Sequence, residues 1–184
     1  ETYTESAIMG MAATDASHYV SIEGGPNDSG FKGGHGVKYV SPSLQGLKVG
    51  AEAFNPGSSS VFAEYSNAGL TVKYAQEQGN TSALDITSFA AQYKMGDLTA
   101  KVVYTEDDAT SAKEQTFIGA TYAMGANTIG FGVLDSNAAM GNDGDMTLSL
   151  NHALSKSTNV YVAMKDDDDA NTGDMALVGI KHKF

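Results

Sequence analysis

Seven of the eleven lysines of this chain lie in segments where every second residue is apolar, and their parity places them on the opposite, polar face. They are Lys38, Lys48, Lys73, Lys94, Lys101, Lys181 and Lys183. Two acids, Glu52 and Glu64, have the same parity. A wall of ammonium groups creates a field that selects passing solutes without covalent chemistry. The alternative is that these lysines only solvate a polar surface.

Acidic residues offer a second chemistry, the binding of a divalent cation. They crowd several polar stretches of the sequence. The densest run is Asp166, Asp167, Asp168 and Asp169. Carboxylate oxygens can hold Ca²⁺ or Mg²⁺, but no stretch has the spacing of an EF-hand loop. A solvated acidic surface is therefore favoured over a metal site, and no cofactor is expected.

Residues for catalysis show no recognisable arrangement. The four histidines, His18, His35, His152 and His182, lack ligand spacing, and cysteine is absent. Nothing resembles the strand-turn-helix motif around a nucleophilic serine. With a formal net charge of −11, and lysine as the sole basic residue type, nucleic acid is not an expected partner. The sequence favours a protein that is not an enzyme.

The elements that carry these residues are predicted to be short β-strands. Eleven segments of period 2 are found from residue 36 onward. Their predicted spans are 36–42, 47–54, 60–66, 69–76, 85–94, 97–105, 114–123, 126–134, 145–153, 157–165 and 174–184. Short connections alternate with longer polar ones, as in an up-and-down barrel of membrane type. No window has the 18 or more apolar residues of a membrane helix, so a membrane crossing would have to be made by strands.

Residues 1–35 lack the period-2 alternation and are predicted to form a separate irregular segment. Residues 36–184 are predicted to form the strands. The stretch His18 to Glu23 could add a twelfth strand. The chain does not start with a basic, apolar segment of signal-peptide type, so we expect either a removed leader or a start within a longer product.

Alternation leaves two folds open, a soluble sandwich with the apolar face as its core and a membrane barrel with that face outward. The tyrosines of the apolar face favour the barrel. Tyr39, Tyr65, Tyr93 and Tyr122 precede short connections, and Tyr74 and Tyr104 precede long ones. Two such belts are typical of the two membrane–water boundaries. The prediction is an all-β, antiparallel up-and-down transmembrane β-barrel with a hydrated polar face.

The terminal segment Met175-Ala-Leu-Val-Gly-Ile-Lys-His-Lys-Phe184 resembles the last strand of the Gram-negative general porins, which ends in phenylalanine. The segment Gly36-Val-Lys-Tyr-Val-Ser-Pro42, followed by Leu47-Lys-Val-Gly-Ala-Glu-Ala-Phe54, resembles a hairpin of the same family. The likeness is to proteobacterial members, nearest to the alphaproteobacterial ones. The resemblance implies that Phe184 belongs to the aromatic belts together with the tyrosines.

The resemblance implies a sixteen-stranded, homotrimeric channel in the bacterial outer membrane, passing small hydrophilic solutes and ions by diffusion. Counting back from the last strand makes the eleven strands six to sixteen, and makes residues 1–35 the constriction loop. Its acids would be Glu1, Glu5, Asp15, Glu23 and Asp28, set against the basic wall. The expected partners are membrane lipid, lipopolysaccharide and the missing N-terminal strands, because an eleven-stranded sheet has two unpaired edges.

Two further functions stay open at this stage. One is a twelve-stranded outer-membrane hydrolase, with the His18 segment as the extra strand. The other is a soluble β-sandwich or surface adhesin, with the apolar face buried. A sandwich would dissolve without detergent, whereas a barrel would not.

Overall fold

The computed structural model describes residues 36–54, 57–79, 85–107, 113–136, 144–166 and 173–184. These residues form eleven β-strands, as predicted. The strands are β1 (Gly36–Val40), β2 (Leu47–Phe54), β3 (Ser58–Asn67), β4 (Leu70–Gln78), β5 (Ile86–Met95), β6 (Leu98–Asp107), β7 (Lys113–Met124), β8 (Asn127–Ser136), β9 (Asp145–Ala153), β10 (Thr158–Asp166) and β11 (Met175–His182).

Every strand pairs antiparallel with the next one along the chain, in the order β1 to β11. This is the up-and-down order that the alternating connections predicted, and it confirms the all-β class. Within the described ranges no helix is long and apolar enough to cross a membrane. Residues 1–35, including the predicted extra strand at His18 to Glu23, lie outside the described residues.

Several strands are longer than predicted at the ends that face the long connections. β4 extends to Gln78 instead of residue 76, β6 to Asp107 instead of residue 105, and β8 to Ser136 instead of residue 134. The added positions are mostly polar on both faces, so the period-2 pattern fades before the backbone pairing stops. Pairing continues because backbone hydrogen bonds do not depend on side-chain polarity.

The short connections are tight hairpin turns whose backbone geometry explains their residues. Ala68 and Gly69 join β3 to β4 with φ angles of 47° and 87°. Two positive φ angles are the mark of a type I′ turn, which matches the twist of paired strands. At Gly69 the backbone of β5 is also close, since a Cβ there would lie 2.6 Å from the carbonyl oxygen of Lys94. These turns set the register of each hairpin.

The two faces of the sheet differ in exposure, and the apolar face is the exposed one. Val37 is 76% exposed, Ile118 61% and Val178 80%. On the opposite face, Ala90 and Val103 are fully buried. Soluble proteins rarely expose a continuous apolar surface of this size. The arrangement is the reverse of a soluble sandwich, whose apolar face would be its dry core.

Candidate functional site: the polar face of the sheet

The predicted lysines are found on the face opposite the exposed apolar one, and several are neighbours. Lys48 of β2 lies directly opposite Glu64 of β3, and Glu64 lies opposite Lys73 of β4. On the next strand pair, Lys101 of β6 lies opposite Gln92 of β5. Directly opposed side chains are about 4.5–5.5 Å apart at their Cβ atoms. The register therefore brings the predicted charges of β2 to β6 together in one patch.

Lys38 and Glu52 form an ion pair between β1 and β2, where the register places them opposite each other. The Glu52 carboxylate is buried, and it also accepts a hydrogen bond of 2.9 Å from the Ser60 hydroxyl. The ammonium group of Lys38 lies 5.5 Å from the centre of the Phe62 ring, within reach of a cation–π attraction. These contacts fix one charged pair of the predicted set.

A second ion pair on this face escaped the sequence analysis. The Lys165 ammonium lies 2.8 Å from the Asp145 carboxylate, and the Asp145 side chain is 1% exposed. Both residues lie inside their predicted strands, 145–153 and 157–165, but neither was assigned to the polar face. Glu77 was missed because β4 extends two residues beyond its predicted end at residue 76. A longer predicted β4 would have placed Glu77 on the polar face by parity, and parity alone places Asp145 and Lys165 there.

The polar face carries apolar side chains that the sequence analysis did not assign to it. Its half towards the long connections is buried and carries apolar as well as polar side chains. They include Phe62, Ala75, Ile86, Ala90, Val103, Phe117, Leu134, Ser88, Thr105 and Gln115. A period of 2 shows which residues share a face, but not how closely their side chains pack there.

Close packing on this face depends on glycine. The ring of Phe62 lies across Gly50, its partner on the neighbouring strand, and a Cβ at Gly50 would be 2.1 Å from the Phe62 Cζ atom. Real carbon atoms do not approach this closely, so any other residue at position 50 would push the ring away. The pair keeps a large aromatic side chain flat against the sheet.

The exposed apolar face carries its tyrosines in two rows. Tyr65, Tyr93 and Tyr122 each lie two residues before the end of a strand at a short connection. The Tyr65 hydroxyl accepts a hydrogen bond of 3.0 Å from Asn67, so its polar tip points towards that connection.

The second row lies nearer the long connections. Tyr74, Phe89 and Tyr104 are direct neighbours across β4, β5 and β6. The Tyr104 hydroxyl donates a hydrogen bond of 3.1 Å to Glu106, so its tip points to the opposite rim from that of Tyr65. Phe89 was not among the predicted belt residues. Aromatic rings with outward-pointing polar tips are typical of the borders of an apolar band.

Two histidines lie at the short-connection end of β8 to β11, and one of them contacts Phe184. The Nδ1 atom of His152 is 2.8 Å from the Asn127 side-chain oxygen, and that of His182 is 2.8 Å from the Thr158 hydroxyl. The His182 ring packs edge-on against Phe184 at 4.8 Å. Both histidines are thus partnered by neutral polar groups and belong to the outward-facing positions.

The remaining predicted site residues are outside the described part of the chain. They are Glu1, Glu5, Asp15, Glu23, Asp28, Asp167, Asp168 and Asp169. Asp166 is described and exposed at the end of β10. Among the residues that the structure does describe, no group of three or more potential ligands could hold a metal ion.

An antiparallel up-and-down sheet with an exposed apolar face and a charged opposite face defines the class of outer-membrane β-barrel proteins. The model of the Gram-negative porin family matches residues 3–172. The chain therefore belongs to the Gram-negative porin family, and its location is the bacterial outer membrane.

Solved structures share the fold. A triple mutant of the Rhodopseudomonas blastica porin has a TM-score of 0.70 and 20% sequence identity, covering 81% of this chain and 55% of the porin. The anion-selective porin from Comamonas acidovorans has a TM-score of 0.64 and 18% identity, covering 81% of this chain and 59% of that one. The chain thus spans little more than half the length of these porins. Comparison with curated proteins gives no match.

Proposed function

We propose that this chain forms part of the wall of a water-filled channel through which small hydrophilic solutes and ions diffuse, with no catalytic step. The observation that carries the proposal is the pairing of an exposed apolar face with an opposite face that holds lysines and acids. In a membrane, the apolar face meets hydrocarbon and the charged face must meet water or protein. Charged side chains lining a water-filled passage then select solutes by their field.

Further strands are proposed to complete the barrel. In the described sheet β1 and β11 are the two edges, and hydrocarbon cannot satisfy the backbone N–H and C=O groups of an edge. The partial coverage of the similar porins supports the same proposal. Homotrimer formation, contacts with lipopolysaccharide and the role of residues 1–35 as a constriction loop are proposed from family membership.

The acids Glu1, Glu5, Asp15, Glu23 and Asp28 are proposed to face the lysines of the wall across the passage. Charges of opposite sign on the two sides would create a transverse field that orients dipolar solutes. For the run from Asp166 to Asp169 we propose a solvated acidic rim in preference to a Ca²⁺ or Mg²⁺ site.

Conductance across planar lipid bilayers tests the proposal. The barrel, extracted in detergent in the form found in membranes, is added to one chamber at about 1 M salt, where surface charge is screened over about 3 Å. We expect stepwise increases of current, each marking one inserted channel. Protein that inserts, as shown by flotation with lipid vesicles, but produces no current steps would overturn the channel function.

A further inference from the structure

Two histidines at the short-connection border of the exposed apolar face have no role in the channel proposed above. His152 is the last residue but one of β9, and His182 is the last residue of β11. They share the parity of Leu150 and Ile180, which are 44% and 67% exposed on that face. The tyrosine row of β3, β5 and β7 lies at the same border. The two rings therefore lie where the apolar band of a membrane barrel meets lipid headgroups.

Each ring is held through one nitrogen, which leaves the other available. The Nδ1 atom of His152 lies 2.8 Å from the side-chain oxygen of Asn127, and that of His182 lies 2.8 Å from the Thr158 hydroxyl. The Asn127 oxygen can only accept, so Nδ1 of His152 donates. Within the described ranges, the Nε2 atoms of both rings have no hydrogen-bond partner. A ring that takes up a second proton gains an N–H donor at Nε2.

The described strands beside the two histidines present only uncharged side chains to them. Asn127 of β8 and Val160 of β10 lie directly opposite His152. Thr158 of β10 lies directly opposite His182. Neither ring therefore faces a carboxylate from a described neighbouring strand.

The charged groups of the exposed apolar face differ between its two borders. The described acids that lie within strands on this face are all at the long-connection ends, and they are Glu106, Glu114, Asp135 and Asp166. Near the histidines, Lys156 lies exposed in the turn between β9 and β10. The carboxylate of Phe184, at the end of the sequence, lies two residues beyond His182, whereas Lys181 and Lys183 have the parity of the polar face. With both rings protonated, three positive charges meet that one carboxylate.

We propose that His152 and His182 bind the phosphate groups of anionic phospholipids when their rings are protonated and release them when the rings are neutral. Histidine changes charge between about pH 5 and 8, and a protonated ring donates from Nε2 to a phosphate oxygen in a charge-assisted hydrogen bond. The short connections of such barrels face the periplasm, so these lipids belong to the periplasmic leaflet. The inference depends on contact between the exposed apolar face and lipid, and not on conduction.

The size of the expected preference follows from the number of charges. Each positive side chain at the border of an anionic membrane raises association about fivefold. From a strand spacing of about 4.8 Å and a rise of about 3.4 Å per residue, the Cα atoms of His152 and His182 are about 12 Å apart. Each ring then contacts the phosphate of its own lipid, and its protonation raises the local preference for an anionic lipid about fivefold.

Quenching of tryptophan fluorescence by brominated lipids tests the proposal at the site itself. Val160→Trp places an indole directly opposite His152, in a chain that has no other tryptophan. Light from the rest of the barrel is subtracted with the parent protein. In vesicles of phosphatidylcholine with increasing brominated phosphatidylglycerol, quenching gives the relative affinity of the anionic lipid for this position. We expect this affinity to be about fivefold higher at about pH 5.5 than at about pH 8.

Three matched variants attribute the effect to the histidines. Tyr93→Trp reports from the same border on β5, where neither neighbouring strand carries a histidine, and its lipid preference should change by less than about twofold. In the Val160→Trp background, His152→Asn/His182→Asn keeps an amide donor near Nδ1 but cannot gain charge, so the preference should stay low at both pH values. His152→Lys/His182→Lys is charged throughout and should keep the high preference at both.

Quenching with the same lipid preference at both pH values would overturn the proposal and leave the channel function intact. An equal change at Tyr93→Trp, or a change that persists in the asparagine variant, would overturn it as well. Inorganic phosphate added at constant ionic strength should not alter the preference, because it lacks acyl chains. Loss of the preference would show a site for free anions and would also contradict the proposal. Absence of quenching by either brominated lipid would instead refute the assignment of faces, and with it the proposed function.

Discussion

Replacing Lys165 with methionine is expected to destabilise the barrel, because Asp145 would lose its charged partner. Both carboxylate oxygens of Asp145 are buried, and among the described residues no hydrogen-bond donor other than the Lys165 ammonium reaches them. At the observed separation of 2.8 Å the attraction between two unit charges is about 6 kcal/mol at an effective dielectric constant of about 20. Much of that offsets the cost of burying the charges, so we expect a net loss of about 3–5 kcal/mol in the free energy of unfolding.

Urea unfolding in lipid vesicles, followed by far-UV circular dichroism, measures this loss, because the chain has no tryptophan to report by fluorescence. Lys94→Met is the matched control. Its lysine is exposed at the short-connection end, so we expect a change within about 0.5 kcal/mol.

The double variant Lys165→Met/Asp145→Leu removes the buried charge altogether and should recover stability to within about 1 kcal/mol of the parent. If the single Lys165→Met variant loses less than about 1 kcal/mol, water reaches Asp145 and the buried-pair reasoning is wrong.

Three further outcomes follow from the geometry of the two faces. Gly50→Ala should lower stability by about 1–3 kcal/mol through overpacking against Phe62, and Phe62→Leu in the same chain should recover part of the loss. Ile118→Lys on the exposed face should cost about 2–4 kcal/mol in lipid, whereas Thr121→Lys on the polar face of the same strand should cost much less. Tyr104→Phe should cost about 0.5–1.5 kcal/mol by removing the hydrogen bond to Glu106. Each is measured by the same urea unfolding, and equal costs for the two lysine variants would contradict the assignment of faces.

Strand number and order could be predicted from the sequence because each strand has one apolar and one polar face. A period of 2 in side-chain polarity is the direct result of that environment. Alternating connection lengths then gave the up-and-down order, since short turns join only neighbouring antiparallel strands.

Strand ends were predicted less well, with consequences for the candidate site. Beyond the apolar band both faces turn polar, so the pattern contains no information about where pairing stops. Glu77 lies in this region of β4, beyond the predicted end at residue 76, whereas Asp145 and Lys165 lie inside their predicted strands. The Asp145–Lys165 pair also depends on the register of two strands joined by a short turn, which parity alone does not specify.

The burial on the polar face was not predictable from alternation. Phe117 and Leu134 are direct neighbours on β7 and β8, on the face that the lysines share, and both are buried. In the sequence they are apolar residues at positions whose parity matches the polar face. Only the packing of the folded chain shows which side chains of that face are buried.

A channel requires the apolar face of the sheet to meet lipid, and single cysteines along β6 test this most directly. The chain has no native cysteine, so each of Thr99, Ala100, Lys101 and Val102 can be replaced in turn in the membrane-inserted barrel. We predict that a charged, water-soluble thiol reagent labels positions 99 and 101, while a lipid-soluble reagent labels positions 100 and 102. Labelling of positions 100 and 102 from water, with 99 and 101 protected, would show that the faces are reversed and that the polar face does not line a channel.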